Sequence, residues 1–381
     1  MKTRTWVVDL SFAAAALGLA VALRLSLLDF KSVDYFNYTK LWYNTLEDSG
    51  YAAFGQDFSN YNLPYLYVLY FVVRLLPGLP SVVATKVPSL AADFLAAWFA
   101  YRIVALKYKS SYFPALASFA VLFAPTVVLN SAFWGQADAV YGSVLLASMY
   151  CLLRRQNAGA MMLFGLAAAL KAQAVFLLPL LLGLLLRGHL RWKYALYVPA
   201  VMFASLIPAM IAGRPLLDLL MIYPAQAGQY EQLTMHAPSA LSWIPESGRF
   251  YPYFYPAGLM LAGSAALALA LAIFASPSRL TRSLLLELAL ISAMLLPFLL
   301  PKMHERYFYV ADLLSIMVGF YQPSLFFVPV LMITISFFAY QPTLFGVEPV
   351  PIGLLALGVF LVLIVLSRHA LPRLFPRSQD S

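Results

Sequence analysis

"FLLPKMHERYFYVADLL" (residues 298–314) sets a lysine, a histidine, a glutamate and an arginine within five residues between two apolar runs. Charges there must be solvated, paired with one another, or holding a charged ligand. The composition around them decides the fold class. The chain has 381 residues, 62% of them hydrophobic and 11% charged, and a mean hydropathy of +0.80. Soluble domains carry about 25% charged residues, and apolar runs long enough to cross a bilayer recur here. The sequence predicts an all-α polytopic membrane protein. Cys151 stands alone, which excludes an intrachain disulfide and a cysteine metal site.

Twelve spans are expected at about residues 6–28, 84–106, 112–131, 138–153, 158–170, 174–187, 194–212, 256–275, 283–300, 307–321, 324–340 and 351–367. The basic start Met1–Thr5 runs straight into the first of them, with no secretory-signal pattern. With the N-terminus cytoplasmic, the inner segments collect Lys2, Arg4, Lys107, Lys109, Arg154, Arg155, Arg187, Arg191, Lys193, Arg279, Arg282, Arg368, Arg373 and Arg377 against Asp380 alone. The outer segments mix both signs. Positive residues concentrate on the cytoplasmic side of membrane proteins, so both termini are expected inside. The net charge of +9 then anchors the chain in the membrane and implies no nucleic-acid partner.

That orientation puts the polar clusters outside. The first outer loop, 29–83, is rich in Tyr and Asn and carries aromatic residues at near-helical spacing, so one or two interfacial amphipathic helices are expected there. Asp34 follows the first span. "NSAFWGQADAV" (130–140), "LKAQ" (170–173) and "KMHERY" (302–307) each fall at an outer span end. The bland readings are an interfacial ion pair for Asp34, a belt anchor for Trp134, a helix cap for Asp138, and a structural salt bridge for His304, Glu305 and Arg306. Against them, an ammonium such as Lys171 between apolar runs marks a functional site by default. Lys171, Lys302, Arg306 and a chargeable His304 at one depth would suit a phosphate. The second large outer loop, 213–255, is assigned to acceptor binding or a lid, with Gln226, Tyr230 and Trp243 as contacts and His236 as structural. Residues 320–381 form C-terminal helices without a recognisable motif. No Gly-rich phosphate loop occurs on the inner side. The chain is expected to form a single integral-membrane domain over 1–381.

"VDYFNY" (33–38), "SNYNLPYLY" (59–67), "KVPSLAADFL" (86–95), "FWGQADAV" (133–140), "LKAQAVFLLP" (170–179) and "KMHERYFY" (302–309) resemble, in this order, motifs of the GT-C superfamily of membrane glycosyltransferases. The resemblance is to bacterial and archaeal relatives of the mannosyltransferases that build glycosylphosphatidylinositol and N-glycan precursors. It covers roughly residues 30–310. It implies the GT-C fold and an inverting hexosyl transfer, mannose being favoured. A polyprenyl-phosphate (dolichyl-phosphate-type) donor and a lipid or glycan acceptor are implied on the extracytoplasmic face of, by expectation, a prokaryotic plasma membrane.

The resemblance implies Asp34 as catalytic base, and His304 and Arg306 as ligands of the donor phosphate, joined by Lys171 and Lys302. Tyr35, Trp134, Gln136, Asp138 and Gln173 are then candidates for sugar or acceptor contacts. Leu63 stands where relatives often carry a second proline. No DxD pair occurs in the first loop, Asp57 being too far from Asp34, so no metal ligand is assigned; a divalent metal stays open because some relatives need one. The rival functions are a transporter or flippase of a lipid-linked sugar and a non-catalytic scaffold subunit. An enzyme needs a base at the outer surface, whereas a flippase needs a basic path open to both sides.

Overall fold

A computed structural model describes residues 2–376, apart from 229, 246, 247 and 249. Arg377 and Asp380, which entered the charge argument, lie outside the described residues. The described residues are mostly helical, and the one sheet among them pairs two strands of two residues each. Each of the twelve apolar segments contains a helix. Among the described residues six helices are long and apolar enough to cross a membrane: Ser81–Val104, Trp192–Ile211, Tyr251–Ala275, Arg282–Leu299, Pro323–Phe345 and Ile352–Leu374. The segment read as one span at 112–131 is broken. Its halves Tyr112–Leu122 and Pro125–Trp134 meet at 48°. Pro125 is the cause, since it offers no amide donor and pushes Ala124 out of the helical region, to ψ 122°.

The short helices matter most for position. Asp138–Leu153 is nearly all buried and packs against Ser81–Val104 and Asn157–Leu170. At 1.5 Å per residue these two short helices reach about 24 Å and about 21 Å, less than the roughly 30 Å hydrocarbon core. Asp138 opens the first of them, and Leu170 closes the second directly before Lys171.

The opposite helix ends are tied together by basic side chains. Lys107 Nζ donates to the carbonyls of Phe320 and Tyr321, Arg187 to those of Ile273 and Ser278, and Arg282 to those of Leu106 and Leu153. Several of these carbonyls end helices, where cations are favoured. Three residues read as inner, Lys107, Arg187 and Arg282, are thus each tied to the ends of neighbouring helices. In the first outer loop the structure has helices Lys40–Ser49 and Leu63–Leu75.

Candidate functional site

Asp34 immediately precedes a π-helical turn, Tyr35–Thr39, and a second π-turn, Leu129–Trp134, faces it. Lys86 holds the first segment in place. Its Nζ donates to the carbonyls of Leu27, Leu28 and Phe30 at 3.1, 2.9 and 2.8 Å, where the first helix unwinds. Ser32 Oγ donates to the Trp134 carbonyl at 3.0 Å, and Ser89 Oγ to the Gln136 carbonyl at 2.6 Å. Gly135 between them sits at φ +81°, a left-handed conformation that glycine adopts without a steric penalty. Trp134 and Gln136 are thereby both turned toward Asp34. Trp134 Nε1 donates to Asp34 Oδ2 at 3.0 Å, and Gln136 Nε2 donates to the same oxygen. No bond to Oδ1 is found among the described residues, and Asp34 lines a cavity of about 310 Å³.

Lys171, Lys302, His304 and Arg306 line the same cavity, with Gln136, Gln173, Gln226 and Tyr230. Among the described residues Asp34 is its only lining carboxylate. Beneath the lining are two more acids. Asp138 is fully buried, pairs with Lys171 Nζ and accepts from Asn130 Nδ2 at 3.0 Å. Glu305, also buried, accepts from Arg306 Nη1 at 3.0 Å. Arg306 Nε has no hydrogen-bond partner among the described residues, and its approach to Asp138 Oδ2 is 3.8 Å. The guanidinium lies over the Trp134 ring at 5.2 Å, which couples the Asp34 corner to the basic one.

His304 differs from the chargeable group that its sequence suggests. Burial first, then the charges of Arg306 and Lys171, push its pKa down to about 2. The imidazole is therefore neutral at physiological pH. Arg306 Nη1 approaches its Nδ1 at 3.2 Å; a guanidinium only donates, so Nδ1 accepts and the proton sits on Nε2. The cationic set narrows to Lys171, Lys302 and Arg306, with His304 a neutral donor. Burial raises the Glu305 pKa, against the opposing pull of Arg306.

The second outer loop clamps this corner. Strand Thr234–Met235 pairs in parallel with Met303–His304, and Lys302 donates its backbone N–H to Leu233 O at 2.7 Å. Lys302 itself is left-handed, at φ +61°. Tyr230 packs edge-on to His304 at 4.9 Å. Trp243 of that loop lies elsewhere, donating to the Gly353 carbonyl, and His236 bonds to Thr343.

The candidate sugar contacts separate. Gln136 and Gln173 line the cavity, and the buried Gln173 Oε1 has no partner among the described residues. Trp134 and Asp138 lie behind the lining, one holding Asp34 and the other Lys171. Tyr35 turns away, its hydroxyl 2.7 Å from Ser81 Oγ. Three contributors went unassigned in the sequence. Lys86 opens the "KVPSLAADFL" stretch and Asn130 the "NSAFW" stretch, so both stood in view without a role; Tyr61, which lines the cavity, was one tyrosine among many. Among the described residues no three His, Cys, Asp or Glu side chains come together as metal ligands. The chain matches no family model, and a search of curated proteins finds no match.

Proposed function

We propose that this protein is an inverting glycosyltransferase that moves a hexose from a polyprenyl-phosphate donor to a lipid-linked or glycan acceptor on the extracytoplasmic face. One observation carries the reading: among the described residues a single carboxylate, Asp34, lines a cavity that Lys171, Lys302, His304 and Arg306 also line. Asp34 takes the proton of the acceptor hydroxyl as that oxygen attacks the anomeric carbon. The bond from that carbon to the phosphate oxygen breaks, and the phosphate leaves with the electron pair. Fixed cations and the His304 Nε2–H stabilise the charge that builds on it. Attack opposite the leaving group inverts the anomeric centre. The motif resemblance supports this chemistry, favours mannose and extends it to the GT-C fold with about twelve spans.

The test supplies purified protein with a panel of radiolabelled polyprenyl-phosphate hexoses and membrane extract, and asks whether label appears in a new glycosidic product. Asp34→Asn should cut turnover by about 10²–10⁴-fold while donor binding survives. If intact donor crosses sealed vesicles and no product forms, the protein is a flippase and the transferase reading fails.

A further inference from the structure

Helix Ser81–Val104 carries a buried polar stripe, Lys86, Ser89 and Asp93, at helical spacing on one face. Lys86 holds the end of the first helix, and Ser89 the Gln136 carbonyl. Asp93 reaches both of these partners' segments, yet the reaction gives it no part. Its Oδ2 accepts from Arg24 Nε of the first helix at 2.8 Å and from Ser131 Oγ of the π-turn Leu129–Trp134 at 2.5 Å. Arg24 aims its other donors at backbone, Nη1 at Ala20 O (3.1 Å) and Nη2 at Leu122 O (3.0 Å). Leu122 closes the first half of the broken segment, so the guanidinium also serves a carbonyl at a helix end. Arg24 is 2% exposed and Asp93 is wholly buried.

A buried ion pair adds little stability over apolar residues of similar volume, and charges inside apolar spans mark function by default. What a fork of three aimed donors supplies is register. Arg24 stands ten residues before Asp34, and Ser131 three before Trp134 and five before Gln136. Asp34 receives Trp134 Nε1 and Gln136 Nε2 on one oxygen, so it depends on how these two segments meet. A misplacement of about 1 Å can slow a reaction roughly 10²-fold. We propose that Arg24 and Asp93 are positioning residues, whose pairing sets the end of the first helix against the π-turn and so holds Asp34 to Trp134 and Gln136. As an aid to a catalytic base the pair rests on the transferase reading; as a register between two segments it does not.

The experiment replaces both charges with apolar residues, Arg24→Met with Asp93→Leu, in the full chain in detergent, because either change alone strands a buried charge. The thermal midpoint should stay close to wild type. Hydrogen exchange read by mass spectrometry should show lost protection over residues 26–36 and 129–136, and wild-type protection over 282–299. Turnover of a polyprenyl-phosphate hexose should fall roughly 10²-fold with its KM unchanged. Arg24→Lys and Ser131→Ala keep the charge pair but lose one aimed donor or more. Each should show the same two changes in smaller measure, so the test survives a double variant that fails to fold. Wild-type exchange in both segments would overturn the proposal. So would a lowered midpoint with unchanged turnover per folded molecule, which would make the pair a brace for the fold alone. Lost protection in the variants, with no hexose transfer even by the wild type, would keep the register and sink the transferase reading.

Discussion

Trp134 Nε1 donates to Asp34 Oδ2 at 3.0 Å across a hundred residues of chain, and the back of the same indole carries the Arg306 guanidinium at 5.2 Å from its ring centroid. One side chain thus registers the proposed base against the proposed phosphate ligand. Trp134→Phe keeps an aromatic face and deletes the donor. A hydrogen bond to a charged group is worth about 1.5–3 kcal/mol, so turnover should fall roughly 10- to 100-fold while donor binding stays close to wild type. A fall in donor affinity with unchanged turnover would show that the indole serves Arg306 alone.

Lys171 and Asp138 are both buried and pair with each other. Removing either partner leaves an uncompensated buried charge, a loss of about 3–5 kcal/mol. Lys171→Met and Asp138→Leu should each lower the thermal midpoint sharply in detergent, and the double substitution should recover most of the loss. A double variant as unstable as the sum of the singles would mean that the two side chains act independently.

Buried His304 has its folded-state pKa near 2, below the roughly 6.5 of an unfolded histidine. Between those values the unfolded chain binds a proton that the native site refuses. The native state therefore keeps its full stability above about pH 6.5 and loses it on acidification, by about 2 kcal/mol at pH 5. Unfolding followed at about pH 7.5 and about pH 5 should show this slope in the wild type and a smaller one in His304→Gln. Identical slopes would place the sensitivity in other groups.

Lys302 holds a left-handed backbone at φ +61° while its side chain lines the cavity. A residue with a Cβ pays roughly 1–2 kcal/mol for that conformation. Lys302→Gly should therefore leave stability unchanged or slightly raised, yet weaken binding of the polyprenyl-phosphate donor. Stability falling in parallel with binding would mark the ammonium as structural.

Composition and apolar periodicity determined a great deal unaided: an all-helical chain with helices at each of the twelve apolar segments, several of them long and apolar enough to span a membrane. These are properties of each segment's own side chains in lipid or water, so they can be read locally. The polar clusters could be located by the same logic, because a charge between apolar runs is conspicuous wherever it folds. Their partners could not. Asp138 looked like a cap or a sugar contact until Lys171, 33 residues on, was seen to pair with it. His304 looked chargeable until burial beside Arg306 and Lys171 made the neutral ring the stable one. Lys86 stood without a role until its ammonium was found on three carbonyls at the end of the first helix. Hydrogen-bond partners and protonation depend on distances between groups far apart in the chain, and only the packed tertiary structure fixes those distances.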